Sequence, residues 1–208
     1  VVFVVLFLLC LVKIGDPSSS IADQVYLFLQ KPLADLLSER GGRMIFTGLH
    51  EGFFTQIKVA FFTSISISLP IILMQVWKFV APGLYKNEKK ALLPYLIATP
   101  VLFIFGGLLV YYLVMPLAIE FFLSFESVAN SGSIAIQLEA KVNEYLSLIM
   151  RLIFAFGISF QLPVILSLLA RIGIVDSKFL KERRKYVVVI IFAVAAILTP
   201  PDPITQFG

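Results

Sequence analysis

Gln75-Val76-Trp77-Lys78-Phe79-Val80-Ala81-Pro82-Gly83-Leu84-Tyr85-Lys86-Asn87-Glu88-Lys89-Lys90 is a short basic loop between two long apolar segments. Pro82-Gly83 ends the first segment, because proline has no amide hydrogen to donate and glycine accepts turn geometry. Lys86, Lys89 and Lys90 mark the cytoplasmic side of a membrane, where lysine and arginine accumulate. Trp77 and Tyr85 flank them as interfacial aromatics do. Glu88 is a lone acid in this cluster, and topology alone does not require it.

The rest of the chain agrees with a membrane reading. Of 208 residues, 59% are hydrophobic and 14% charged, with a mean hydropathy of +0.96. A soluble domain is about half apolar and about a quarter charged. The net charge of +4 is a topological signal rather than a nucleic-acid footprint. Cys10 is the only cysteine and His50 the only histidine, so no internal disulfide forms and no metal site of the usual ligand count is available.

Five apolar segments can be read: Val1–Val12, Ile57–Val80, Ala91–Leu117, Tyr145–Ala170 and Tyr186–Leu198. The first falls short of the ~20 residues a span needs, and reads as the remainder of a truncated span. The fifth is also short, and needs little tilt or support from neighbours. Lys78 stands at the end of the second segment and Lys86, Lys89 and Lys90 follow it; Arg171, Lys178, Lys181, Arg183, Arg184 and Lys185 follow the fourth. Glu120, Glu126, Glu139 and Glu144 dominate between the third and fourth. Positive-inside bias places the first two loops and the amino terminus in the cytoplasm, and the acidic loop outside. The segment from Lys13 to Gln56, mixed in sign, reads as an outer loop. Pro70, Pro94, Pro100, Pro116 and Pro163 each remove an intrahelical bond, which favours kinked helices packed in a curved wall. Gly106-Gly107 and Ser64, Ser66 and Ser68 offer small surfaces for close helix approach.

In order along the chain come Gln30-Lys31-Pro32-Leu33, Gly52-Phe53-Phe54-Thr55-Gln56-Ile57-Lys58, Pro70 to Trp77, the loop quoted above, Val114-Met115-Pro116-Leu117-Ala118, Ala155 to Val164, Arg183-Arg184-Lys185-Tyr186 and Leu198-Thr199-Pro200-Pro201-Asp202. Their order and spacing resemble the TatC family, the receptor subunit of twin-arginine protein translocases. The resemblance implies an all-α polytopic membrane protein, a curved bundle of kinked transmembrane helices with six spans in the family. Residues 1–208 would be a single TatC-like membrane domain, a fragment lacking the last span and part of the first. It implies a multi-pass protein of the bacterial inner membrane, or of a derived organelle.

The resemblance also implies roles. Glu88 would accept hydrogen bonds from the paired arginines of a signal peptide, as a carboxylate does for a planar guanidinium. Phe79 would pack on the apolar part of that signal, with Pro82, Leu84 and Tyr85 completing the site. Without the family, Glu88 reads as a surface acid softening a lysine cluster. Further acids would come from the missing amino-terminal segment or a partner. Gln161 stands where the family often has Glu; it would line an intramembrane polar pocket or make an interhelical hydrogen bond. Pro32 would belong to an outer cap, and Arg151 would snorkel or pair with Glu144. Val188, Phe192 and Asp202 would meet partner proteins.

The implied function is a receptor and scaffold, not an enzyme. It would bind twin-arginine signal peptides at the cytoplasmic face and assemble with TatA, TatB and further TatC copies. It would export folded proteins on the proton-motive force, with no cofactor, catalytic group or nucleic acid. No P-loop occurs in the sequence. A small-solute secondary transporter is the alternative, but it predicts paired charges at mid-bilayer, and the span interiors are nearly free of acids. An intramembrane hydrolase needs a nucleophile with a base, and no span carries a histidine.

Overall fold

The computed structural model describes residues 2–12, 20–39, 42–80, 86–125, 139–171 and 175–198. Helices carry nearly all of them: α1 (Val2–Leu11), α2 (Ile21–Glu39), α3 (Glu51–Val80) and α4 (Lys86–Leu109). A π-helical turn, Val110–Val114, joins α4 to α5 (Met115–Leu123), and α6 (Val142–Ser159), α7 (Leu162–Arg171) and α8 (Ser177–Leu198) follow. Two short strands, β1 (Met44–Ile45) and β2 (Ala140–Lys141), pair in parallel, Met44 with Ala140. Among the described residues this bridge ties the entry of α3 to that of α6, and the fold is all-α as expected.

Among the described residues, three stretches are long and apolar enough to cross a bilayer: Glu51–Val76, Ile97–Leu123 and Val142–Ala170. They contain most of the second, third and fourth apolar segments. At 1.5 Å per residue each reaches roughly 40 Å, beyond the ~30 Å of hydrocarbon. The surplus carries their ends past the hydrocarbon and, on the side of β1 and β2, onto α2. That end is the cap side; the opposite end, where α3 stops at Val80 and α4 starts at Lys86, is the basic side.

The breaks have chemical causes. Pro163 brings no amide to the carbonyl of Ser159, so α6 stops there and α7 restarts after a two-residue turn. In the turn the Phe160 amide donates to Phe156 and the Gln161 amide to Ile158, both at 2.9 Å. In the third span the Met115 amide reaches back five residues to the Val110 carbonyl. Pro116, the next residue, has no amide to restore the regular ladder. Val110, Tyr111, Val114 and Met115, in and beside this turn, are all buried.

The third and fourth spans meet at glycine. A Cβ on Gly106 would lie 3.0 Å from the Phe156 carbonyl oxygen and 3.1 Å from the Gly157 backbone. One on Gly157 would lie 2.6 Å from the Phe103 ring. Lipid supplies no hydrophobic drive between helices, so such close packing is what holds spans together. The expected role of Gly106 as a close-approach surface is met here.

The segment expected as an outer loop is largely helix. Val25, Tyr26, Leu29, Leu33, Leu36 and Leu37 recur at helical spacing, and α2 lays them on Val59, Phe62, Met115, Tyr145 and Ile149. Ser20 caps it: the Asp23 amide donates to the Ser20 hydroxyl at 3.1 Å, and the Ser20 amide and hydroxyl both donate to the Asp23 carboxylate at 2.8 Å. The Gln56 amide group on α3 donates to the other oxygen of the same carboxylate. A second correction concerns Glu144, whose ion pair is with Lys141 at 3.3 Å and not with Arg151. Arg151 is exposed on α6. A third concerns Lys178 to Lys185, which ride on α8 rather than on a loop.

Candidate functional site

Four places carry the residues singled out from the sequence. On the basic side, α3 ends at Val80 and α4 begins at Lys86. Phe79 therefore lies in the last turn of one helix and Glu88 in the first turn of the next. Pro82, Leu84 and Tyr85 fall outside the described residues. A carboxylate at the start of a helix faces the positive end of its dipole and its unpaired amides, which favours the ionised form.

Inside the spans, Gln161 sits in the turn between α6 and α7, only 4% exposed. Its side-chain amide donates to the Thr99 carbonyl of α4 at 2.9 Å. Thr99 is fully buried, and its hydroxyl donates to the Tyr95 carbonyl at 2.8 Å. Of the two roles open to Gln161, the interhelical hydrogen bond is the one formed. Sequence reasoning did not single out Thr99, since a threonine in an apolar run gives no sign of which carbonyl will be shared.

On the cap side, Pro32 lies inside α2. The Tyr111 hydroxyl donates to the Phe28 carbonyl at 2.9 Å and the Tyr145 hydroxyl to the Leu29 carbonyl at 3.1 Å. Phe28 and Tyr111 also stack, with centroids 4.3 Å apart and planes 4° from parallel. Neither tyrosine was a sequence candidate. The available signal was a phenol within an apolar span, whose buried hydroxyl requires a partner. Nearby, a cavity of about 430 Å³ opens between Thr47, His50, Glu51, Lys58, Lys141 and Asn143. The Glu51 carboxylate accepts from the amides of Thr47 and Gly48, and the Lys58 ammonium donates to Asn143. His50 makes an edge-on contact with Phe54, as an ordinary loop residue would.

The fourth place is α8. Val188 and Phe192 are each 44% exposed, and the run from Tyr186 to Val194 is exposed throughout its described side chains. Asp202 lies outside the described residues. Among the described residues no group of three His, Cys, Asp or Glu could hold a metal ion.

A family model described as Sec-independent protein translocase protein (TatC) matches residues 1–208. The chain belongs to the TatC family. The TatC protein of Magnetococcus marinus is 49% identical over 187 residues, 90% of this chain and 66% of that protein. That of Rickettsia prowazekii is 43% identical over 206 residues, 99% of this chain and 78% of that protein. The Escherichia coli K12 TatC is 38% identical over 206 residues, covering 99% and 74%. The chain thus spans about two thirds to three quarters of the length of these relatives. A crystal structure of a twin arginine translocase receptor, TatC, matches with a TM-score of 0.74 at 34% identity, over 90% of this chain and 79% of that one. A second, in the detergent DDM, has the same TM-score at 30% identity over 99% and 87%. This TatC chain is therefore a polytopic helical membrane protein with several apolar helices, of a translocase family.

Proposed function

We propose that this TatC chain is a receptor and scaffold for the export of folded proteins. Its signal-binding site is the junction of α3 and α4 on the basic side, which faces the cytoplasm. Glu88 accepts the guanidinium groups of a twin-arginine signal, Phe79 packs on the apolar residues beside them, and Pro82, Leu84 and Tyr85 complete the site. Lys86, Lys89 and Lys90 outnumber the one acid, so a second acidic group from a partner completes the site. TatA, TatB and further TatC copies assemble around the spans, TatA- or TatB-like helices along Val188 and Phe192 of α8 with Asp202 beyond them. Export draws on the proton-motive force, in a bacterial inner membrane.

The observation that supports this most is the position of Glu88 in the first turn of α4, one short connection away from the last turn of α3. A twin-arginine peptide and its Lys-Lys variant, titrated against the chain in detergent, test it. The arginine peptide binds more tightly, because the planar fork donates two parallel bonds where an ammonium offers a point charge. Glu88→Gln lowers affinity for the arginine peptide roughly tenfold or more, the ~1.5–3 kcal/mol of a charge-assisted bond. Glu88→Lys lowers it further, since repulsion is added to the loss. Equal affinity for both peptides, or unchanged affinity in both variants, returns Glu88 to its role as a helix-start acid.

A further inference from the structure

Proline inside a helix normally weakens it, by removing one hydrogen bond and crowding the preceding turn. Pro32 sits in the middle of α2, and the carbonyl its missing amide would have engaged is that of Phe28, four residues earlier. That carbonyl accepts the Tyr111 hydroxyl at 2.9 Å. The neighbouring carbonyl, of Leu29, accepts the Tyr145 hydroxyl at 3.1 Å. Both phenols are 8% exposed, so neither has free access to water as a substitute partner. Tyr111 is on the π-helical turn of the third span and Tyr145 on the first turns of the fourth. A third tie, from Gln56 to Asp23, joins α2 to α3. The sequence defect in α2 is thus mended from outside, by side chains of separate spans.

We propose that Tyr111 and Tyr145 are positioning residues: their hydroxyls occupy the carbonyls exposed around Pro32 and lock α2 across the cap-side ends of the three long spans. α2 then works as a brace. Each span is a rod of roughly 40 Å, so angular play at the cap side is carried to the basic side at the other end. The π turn has a place in this scheme. It carries Tyr111, which is buried there beside Val110, Val114 and Met115. The brace does not depend on where a signal peptide binds.

The test is a double-mutant cycle read by amide hydrogen exchange in α2, with the chain in detergent or nanodiscs. Tyr111→Phe keeps the ring and its stack on Phe28 and deletes only the hydroxyl. Exchange at the amides of Leu33 to Leu37 should accelerate roughly fivefold, the ~1 kcal/mol of one hydrogen bond expressed as an opening equilibrium. Tyr145→Phe should do the same. Pro32→Ala supplies the missing amide to the Phe28 carbonyl, so in that background Tyr111→Phe should change exchange little, while Tyr145→Phe keeps its effect. Equal effects of Tyr111→Phe in both backgrounds would overturn the link to Pro32, and unchanged exchange in either single variant would overturn the lock. Export of a folded reporter should fall in the Tyr111→Phe/Tyr145→Phe chain at constant membrane level, with twin-arginine peptide binding retained. Normal export alongside loosened α2 amides would overturn the positioning role and leave the signal-binding reading intact.

Discussion

α6 and α8 are both apolar helices of one chain, and they could hardly be packed more differently. α6 buries Val142, Tyr145, Leu146, Ile149, Met150, Leu152 and Gly157. α8 meets the bundle chiefly through α6, and its side chains from Lys181 to Val194 are exposed. Apolar content does not separate them, because lipid solvates Leu as well as a protein interior does. What separates them is the residue that makes contact specific. α6 has Gly157 for close approach, Tyr145 to bond across to α2, and Gln161 just past its end to bond across to α4. α8 offers Val187 to Phe192, a run with neither a small residue nor a hydroxyl. A frame and a docking face can thus share a hydropathy profile and differ in a handful of side chains.

The largest effect expected from this contrast is at Gly157. A Cβ there already meets the Phe103 ring at 2.6 Å, and a leucine adds three more carbons into the same space. Overpacking of this kind costs about 1–3 kcal/mol, and Gly157→Leu belongs at the upper end because the Phe103 ring it meets is itself buried. Unfolding in SDS-containing mixed micelles measures it. A loss below roughly 0.5 kcal/mol would mean that the third and fourth spans are free to separate, and the contrast with α8 would fail.

Gln161 comes next. Gln161→Leu keeps much of the volume and removes the donor to Thr99. Interhelical hydrogen bonds in membranes contribute ~0.6 kcal/mol on average, so a loss of about that size is expected in the same assay. A loss as large as that of Gly157→Leu would show that the amide does more than join two helices, and would reopen the polar-pocket role.

How legible was this architecture in the sequence? The spans, the break at Pro163 and the close approach at Gly106 were readable, because proline and glycine act through their own backbones. α2 was readable in principle: Leu29, Leu33, Leu36 and Leu37 have the helical period and Ser20-x-x-Asp23 is a capping box. The mixed charge of the segment and Pro32 argued for a loop, and packing on the spans overrode both. The π turn was not readable. Pro116 marks a break in the ladder, but no local pattern says that the Met115 amide will bond to Val110 rather than to Tyr111. The tyrosine bonds to Phe28 and Leu29 join residues 83 and 116 positions apart, and local pattern carries no trace of such pairs. At the candidate signal site, the sequence supplied Glu88 and Phe79, and the structure adds only that they sit at facing helix ends.

The smallest stability effect is expected on α8, and it is the most discriminating. Ala196→Leu enlarges an exposed side chain on a helix that packs little against its own chain. A surface change of this kind stays within ~0.5 kcal/mol of the parent. If lipid alone covers α8, nothing else should change, since lipid chains rearrange around an added isobutyl group. If single-span partners pack there, as proposed, the extra bulk disturbs helix contacts that rest on fit rather than on hydrophobicity. Photo-crosslinkers at Val188 and Val189, both exposed, should then capture a TatA- or TatB-like protein in the parent and less of it in Ala196→Leu. Capture of lipid alone in both chains would make α8 a lipid-facing span. A drop in stability with no change in capture would instead show that α8 packs on its own chain, and the line drawn between the frame and the docking face would have to move.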